Sequence, residues 1–324
     1  MSAAGGRREM AATGAEAIAG PREFRADDEE TRRMIRVAEV PPGDTVFSYL
    51  RRRTGYDQAL RAVRPRRAYA SQLELALVDV SLAALRDAAV EVLALEGFRG
   101  WRHAGGESKR YGGLSLTWNP DHQDRPDPHA GTLGTPRNAR DEFFWRQMSH
   151  HREVRHSYFD TYGFRRRTPA SRHGALGAFL DSFICPLIRS RIGVIPGSPT
   201  GGGDPAPADE GWHRDEPVFE NLRVNVPLQT DAGFLFEMEG EAPRHLAVGR
   251  AYSWDTHRPH RVFRAVSTSV TRIHLVLGFA PWFDYLADED AFRPNFFFGR
   301  VHPFDMLAGG MIGPALRLAP GSRA

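Results

Sequence analysis

The sequence predicts a mostly β fold, either a sandwich, a jelly roll or a small barrel, with helices packed on one outer face. Short segments of strand composition, separated by Gly, Pro and Asp turns, fill the second half of the 324-residue chain. In the clearest of them, 222–228, apolar residues recur at every second position, so that Arg223 and Asn225 share the other face. Helical patterns precede these strands and predict the helical layer.

The N-terminal half contains the predicted helices. Residues 1–33 are rich in Ala, Gly, Arg and Glu without apolar periodicity, which predicts a disordered tail. Ser71 and Glu74 form a capping-box pattern that predicts a long amphipathic helix starting there. The spacing of its apolar residues predicts a buried stripe made of Leu75, Val78, Leu82, Leu85 and Val92. A strand is predicted over 111–118, and a second helix over 176–188, which Pro186 should kink or shorten.

A run of strands follows these helices. The strands that we predict lie at 191–195, 222–228, 233–237, 245–248, 251–254, 260–264 and 272–279. The segment 196–210 contains three consecutive glycines and predicts a mobile connection. From Pro281 onward, aromatic-rich sequence predicts mixed helix and loop that closes one side of the barrel.

Composition excludes several classes of protein. No apolar run of about eighteen residues occurs, and the N-terminus lacks the apolar segment of a secretory signal, so we expect a cytoplasmic location without membrane association. The single cysteine, Cys185, excludes an intrachain disulfide, and packing is its predicted role. Acidic residues nearly balance basic ones, so we expect no nucleic-acid partner, and the arginine clusters at 51–53 and 165–167 are predicted to be solvated.

A histidine and an aspartate two residues apart, His213 and Asp215, are the leading candidates for chemistry. In an extended strand both side chains point to one side and can reach one metal ion. With a second imidazole from elsewhere they would leave three coordination positions open, the arrangement of non-haem Fe(II) oxygenases. His122 and Asp124 have the same spacing, but the prolines around them predict a solvated loop.

Residues 211–279 resemble the Fe(II)/2-oxoglutarate oxygenases of the aspartyl/asparaginyl β-hydroxylase family, in particular its bacterial proline-hydroxylase-like branch. His213 and Asp215 match the first metal pair of that family. His260 matches its distal metal histidine, and Arg272 matches the arginine that holds the far carboxylate of 2-oxoglutarate. The resemblance implies a double-stranded β-helix (jelly roll, cupin-like) that uses Fe(II), 2-oxoglutarate and O2.

Some positions depart from the family pattern or leave alternatives open. Asn225 stands where the animal enzymes have a histidine, and Arg223 matches their arginine, so the resemblance implies that both contact the co-substrate. For Arg223, binding of the substrate carboxylate and a structural salt bridge are alternatives. His257 is an alternative to His260 as the distal metal histidine. It could instead orient a metal ligand without binding the metal, or lie exposed in a turn. His274 shares a strand face with the co-substrate arginine, so it either lines that pocket or is a hydrogen-bonded barrel histidine.

These motifs predict a dioxygenase of specialised metabolism that hydroxylates a carbon of a free amino acid or related small molecule and releases succinate and CO2. Because Asp215 supplies a metal carboxylate, a halogenase is disfavoured. A hydroxylase of peptidyl or carrier-tethered residues and a non-catalytic cupin-like binding protein are the alternatives. Candidates for the substrate pocket, each with packing or a surface position as its alternative, are Tyr111, Trp118, Arg137 and Trp212. We divide the chain into a tail at 1–33, a helical and loop part at 34–170 that contributes to the pocket, a β-helix core at 171–280 and an extension at 281–324.

Overall fold

The chain folds mostly as β-sheet and has few helices, which confirms the mostly β character predicted from the sequence. The computed structural model describes residues 29, 32–42, 44–63, 72–103, 108–121, 134–135, 160–197 and 211–321, with the backbone alone for 101–103, 108–110 and 134–135. Within these residues the strands are β1 Ile35–Arg36, β2 Gln72–Leu77, β3 Arg99–His103, β4 Ser108–Ser115, β5 Thr117–Trp118, β6 Gly134–Thr135, β7 Arg166–Arg167, β8 Leu187–Ile195, β9 Leu222–Gln229, β10 Phe234–Met238, β11 Arg250–Trp254, β12 His260–Arg264, β13 Arg272–Phe279, β14 Phe283–Leu286, β15 Ala291–Pro294 and β16 Leu316–Leu318.

The α-helices are short, apart from one. Within the described residues they are α1 Val46–Arg53, α2 Tyr56–Val63, α3 Leu82–Glu96, α4 Gly174–Asp181 and α5 Pro303–Ala308. The longest, α3, begins after Ser81, whose hydroxyl oxygen accepts a hydrogen bond from the backbone N–H of Ala84 at 3.4 Å. It ends at Gly97, which has a φ of 80° that favours glycine. In the described part of the chain, none of the helices has the length and apolar character needed to cross a membrane.

One large sheet of nine strands has the order β16-β2-β11-β9-β13-β8-β4-β3-β6, and its neighbours are antiparallel except β3 and β6. One face of its central strands packs into the main hydrophobic core together with α3 and α4, through residues such as Val224 and Leu275. The opposite face carries polar side chains, among them Arg223 and Arg272. The alternation predicted for 222–228 is therefore confirmed, although both faces of this strand are buried.

A second, two-stranded sheet of β10 and β12 covers the polar face of the large sheet. A separate apolar cluster holds it there, and its members are Tyr111, Ile195, Phe234, Phe236, Met238, Leu246, Tyr252, Trp254 and Val262. All of these residues except Leu246 belong to one of the two sheets. The inward-facing polar residues of β9 and β13 consequently lie between two layers rather than on an open surface.

The N-terminal helices α1 and α2 pack against the C-terminal part of the chain through aromatic contacts. Tyr56 of α2 lies 5.5 Å from Trp282 and 6.4 Å from Phe283, measured between ring centroids. Phe283 begins β14, which belongs to a small sheet with β15 and β1. The described N-terminal helices and the described C-terminal segment therefore share one core.

The prediction of a helix beginning at Ser71 is wrong for the residues before Leu82. Residues 72–77 form strand β2 instead, and Leu75, a member of the predicted helical stripe, is fully buried in this strand. β2 pairs with β11 on one side and β16 on the other. Two ladders of backbone hydrogen bonds outweigh the local capping pattern. The helix begins only at Leu82.

Three further assignments differ from the sequence predictions. The helix predicted over 176–188 ends at Asp181, and β8 already begins at Leu187, immediately after a proline that cannot continue a helix. Residues 245–248 do not form the predicted strand. The nearest pairing is a single bridge between Arg244 and Phe236, just before this segment. The C-terminal segment contains the strands β14, β15 and β16 besides a helix, and β16 forms an edge of the large sheet.

Arg165 is buried, although the cluster 165–167 is predicted to be solvated. Its side chain has no exposed surface and binds Asp121 at 2.9 Å and Asp290 at 2.7 Å. Two carboxylates compensate the desolvation of one guanidinium, which explains how a charge is tolerated there. Cys185 is buried, as predicted.

The predicted bounds of the strands at 260–264 and 272–279 are confirmed. Other predictions fall wholly or mostly outside the described residues, and these concern the tail 1–33, His122, Asp124, Arg137 and the connection 196–210. They stay predictions, as does the division of the chain into four parts.

Gly278 tests the packing at the centre of the large sheet. A Cβ there would overlap the backbone oxygen of Ile188 and lie 2.5 Å from the side-chain oxygen of Asn221, so Gly278→Ala should lower the free energy of unfolding by about 2 kcal/mol. Gly193→Ala is the matched control, because a Cβ at Gly193 would lie 3.5 Å from the nearest atom, in ordinary contact. Urea denaturation of both variants measures the difference, and equal stabilities would contradict the packing described.

Candidate metal centre

Two histidines are brought together by a backbone bridge. The N–H of His213 donates to the carbonyl of His260 at 3.0 Å, and the N–H of His260 donates back to the carbonyl of His213 at 3.0 Å. The ring centroids lie 4.4 Å apart. His260 is the first residue of β12, so the bridge joins the segment carrying the predicted metal pair to the two-stranded sheet.

Both imidazoles are oriented by carbonyl groups two residues earlier in the chain. Nδ1 of His213 lies 2.9 Å from the oxygen of Gly211, and Nδ1 of His260 lies 3.0 Å from the oxygen of Arg258. Because a carbonyl only accepts, each Nδ1 carries a proton, and in the neutral form of the ring each Nε2 presents a lone pair. Metal-binding histidines are commonly oriented in this way.

Asp215 completes a cluster of three ligand atoms. Its backbone N–H donates to the carbonyl of Thr256 at 2.9 Å. Its Oδ2 lies 3.5 Å from Nε2 of His260 and 4.0 Å from Nε2 of His213. The three ligand atoms lie within 4.8 Å of one another, and no other such group of His, Cys, Asp and Glu was found among the described residues. The arrangement can hold one metal ion through two nitrogens and one oxygen.

Arg223 binds the carboxylate of Asp215. Its Nη1 donates to Oδ2 of Asp215, and its Nη2 donates to Oε2 of Glu216 at 2.6 Å. Burial alone would raise the pKa of Asp215, but the charge of Arg223 outweighs it, so that this pKa lies well below its ordinary value. Of the alternatives for Arg223, a salt bridge is therefore present. A contact of Arg223 with the co-substrate stays a prediction.

Glu216 extends this network and is missed by the sequence analysis. Besides Arg223, it accepts hydrogen bonds from Thr161 at 2.6 Å and from Arg189 at 2.8 Å. Burial raises its pKa, but Arg223 and Arg189 lower it to about 2. The sequence did offer a signal for Glu216: it directly follows Asp215, and the nearby predicted strand turns Arg223 inward. Nothing in the sequence points to Arg189.

A cavity of about 40 Å³ lies beside the three ligands. Side chains from neighbouring strands line it, including Arg223 and Asn225 of β9, Arg272 of β13 and Arg191 of β8. The structure thus brings every predicted metal and co-substrate residue to one place. Arg191 is a further lining residue that the sequence analysis does not single out.

Other candidates are scattered. Tyr111 lines the cavity, whereas Trp118 and Trp212 are absent from its lining. The guanidinium of Arg261 lies 4.7 Å from the Trp212 ring centroid. His257 is exposed, which matches the surface alternative. A larger cavity of about 310 Å³ lies elsewhere, between the start of α3 and α4, and its lining contains no residue of the metal cluster.

Comparison of the chain with protein-family models and with curated proteins gives no match. Among solved structures, a similar one is an oxidoreductase of the 2OG-Fe(II) oxygenase family from Burkholderia pseudomallei, with 17% identity and a TM-score of 0.21. The similarity covers 28% of this chain and 41% of that one. Another is a prolyl hydroxylase in complex with a hypoxia inducible factor oxygen degradation domain peptide fragment from Trichoplax adhaerens, with 9% identity and a TM-score of 0.33 over 76% of this chain and 96% of that one. Both scores are too low to support a functional assignment, which must come from the site itself.

Glu220, close to this network, should make stability depend on pH. Burial, then repulsion from Glu216 and Asp160, raises the pKa of Glu220 to about 8. The folded chain therefore binds this proton more tightly than the unfolded chain, so the free energy of unfolding falls as pH rises from the ordinary carboxyl range to about 8. Glu220→Gln removes the cost of ionising this buried carboxyl group. Its Tm should therefore be higher than that of the wild type at about pH 9, and should fall less steeply between about pH 5 and pH 9.

Thermal denaturation across this pH range measures the effect. The exposed Glu289→Gln is the control, and its curve should follow the wild type. A residual slope is expected in Glu220→Gln, because burial also raises the pKa of Asp160, to about 6. Parallel curves for Glu220→Gln and the wild type would contradict the prediction.

Proposed function

We propose that the chain is an Fe(II)/2-oxoglutarate-dependent dioxygenase that hydroxylates a carbon of a free amino acid or related small molecule. The observation that carries this proposal is the cluster of His213, Asp215 and His260, in which both imidazoles already present Nε2 to the carboxylate. Two neutral imidazoles and one carboxylate on one face suit Fe(II) and leave positions for a co-substrate and O2.

The residues around the cluster fit the proposed metal. Both imidazoles are locked by backbone carbonyls, so no side chain has to reorient before the nitrogens bind a cation. Arg223 keeps Asp215 ionised, which is the form that binds metal. Because the carboxylate occupies a metal position that a halogenase leaves open for chloride, hydroxylation is the better proposal. When bound, iron and 2-oxoglutarate together supply the oxidising chemistry, with succinate and CO2 as by-products.

Arg272 is the proposed partner of the far carboxylate of 2-oxoglutarate. It lines the same cavity as the metal cluster, and its side chain is largely buried. A guanidinium offers a planar, always charged fork that meets a carboxylate with two hydrogen bonds, in a region where water competes poorly. Asn225 lines the cavity from the neighbouring strand and is a second proposed contact.

The fold proposed for this function is a double-stranded β-helix. Its support is the layered arrangement, in which β10 and β12 cover the polar face of the large sheet and enclose the cavity. The metal cluster lies where β12 begins, beside the rim of the smaller sheet. Such a site combines rigid strands with access from the segments between them.

Removal of a metal ligand tests the site. In His213→Ala and Asp215→Ala, Fe(II) binding by calorimetry should be lost, because each variant removes one of three donors. The weak visible band that Fe(II) and a 2-keto acid form together under anaerobic conditions should also disappear. His257→Gln, an exposed histidine near the cluster, is the control and should retain both signals. Wild-type affinity for Fe(II) in both alanine variants would remove the site assignment.

The substrate class is tested by a mass-spectrometric screen for the gain of one oxygen. Wild-type protein with Fe(II), 2-oxoglutarate and ascorbate should oxidise at least one free amino acid or amine derivative, in step with release of succinate. Oxidation only of peptidyl or carrier-tethered residues would replace the small-molecule proposal with its alternative. A wild type that forms no Fe(II)-keto-acid band and releases no succinate would indicate a non-catalytic binding protein.

A further inference from the structure

Arg272 and His274 form a buried pair on β13. They lie two residues apart and therefore on one face of the strand. Nη2 of Arg272 and Nδ1 of His274 are 2.9 Å apart. Only 7% of Arg272 and 1% of His274 are exposed, so solvent screens the pair little.

The partner determines which nitrogen of His274 carries the proton. A guanidinium can only donate, so Nδ1 of His274 accepts and the ring proton must sit on Nε2. Burial, followed by the charges of Arg272 and His245, lowers the pKa of His274 well below its ordinary value, and the ring stays neutral. His274 thus presents one N–H group from Nε2.

This N–H group is a buried donor in need of an acceptor. Within the described part of the chain, Nε2 of His274 has no hydrogen-bond partner. A buried donor without an acceptor is destabilising, so such groups in native proteins call for a specific explanation. A ligand oxygen would remove that cost.

The surroundings of His274 favour a ligand in the cavity as the source of the acceptor. Arg272 and Val276, its neighbours on the same face of β13, both line the cavity. The residue opposite His274 on β8 is Gly193, which also lines the cavity and has no side chain to fill the space. An anion with more than one oxygen can accept from a guanidinium and an imidazole N–H at the same time, and a carboxylate is such an anion.

We propose that Nε2–H of His274 donates to the same carboxylate that Arg272 binds, so that one strand, β13, supplies both donors of a carboxylate site. The proposal rests on the proposed function, because the carboxylate is then the far end of the 2-keto acid co-substrate. His274 has two tasks in this site. It holds the guanidinium of Arg272 in place through Nδ1, and it contacts the ligand through Nε2.

Three variants separate these tasks from general packing. His274→Leu keeps an apolar volume but removes both hydrogen bonds. His274→Gln offers an amide oxygen to Arg272 and an amide N–H to the ligand, so it is the conservative variant. His173→Gln, outside the cavity at the start of α4 and paired with Glu91, is the matched control.

Anaerobic calorimetry of the Fe(II)-loaded protein gives the decisive comparison between two co-substrates. For 2-oxoglutarate, Kd should rise about 10- to 100-fold in His274→Leu, stay within about threefold of wild type in His274→Gln and be unchanged in His173→Gln. For 2-oxobutanoate, which lacks the far carboxylate, His274→Leu should bind as wild type does. Equal losses for both keto acids, or wild-type affinity of His274→Leu for 2-oxoglutarate, would overturn the proposal.

A second measurement needs no variant and no iron. Nitrogen-15 NMR of the wild-type histidines should show His274 protonated on Nε2, and that signal should shift with glutarate but not with butyrate in the metal-free protein. A glutarate response without Fe(II) binding would keep the carboxylate site and remove the proposed function. Proton on Nδ1, or no response to glutarate, would overturn the role of His274 whatever the iron result.

Discussion

The reciprocal backbone hydrogen bonds between His213 and His260 are the interaction on which the site depends. They bring two segments that are distant in sequence into register, and each imidazole is then oriented by a carbonyl of its own segment. The backbone of Asp215 is held by the same pairing of segments, because its N–H donates to the carbonyl of Thr256 on the opposing segment. Main-chain groups therefore orient both imidazoles, whereas the side chain of Arg223 holds the carboxylate of Asp215.

Charge compensation is the second constraint. Arg223 joins Asp215 to Glu216, and Arg189 of β8 binds Glu216 from the other side. Two acids and two arginines share one poorly solvated region, so each charge is stabilised by an opposite one instead of by water. This network couples the segment that carries the metal pair to β8 and β9 at the centre of the large sheet. Loss of one member would leave its partner buried without compensation.

The parts of the fold that were predictable from sequence are those with a clear local period. The strands at 260–264 and 272–279 have the predicted bounds. In the second, Arg272 lines the cavity whereas Leu275, on the opposite face, packs in the main core. Local patterns failed where long-range pairing competed with them. Ser71 and Glu74 match a capping box, yet the segment that follows is held between β11 and β16 as a strand. Capping is a contribution of about 1 kcal/mol, which pairing on both sides readily exceeds.

The sequence by itself determined the chemical character of the site. It gave the spacing of His213 and Asp215, and it placed Arg272 on the inward face of an alternating strand. Only the tertiary structure decided the partners. It assigned Arg223 to carboxylates, revealed Glu216 and placed His274 beside Arg272, with a buried N–H that has no acceptor among the described residues. The physical reason is that residue type and period determine which way a side chain points, whereas its hydrogen-bond partners come from strands whose register depends on the whole sheet.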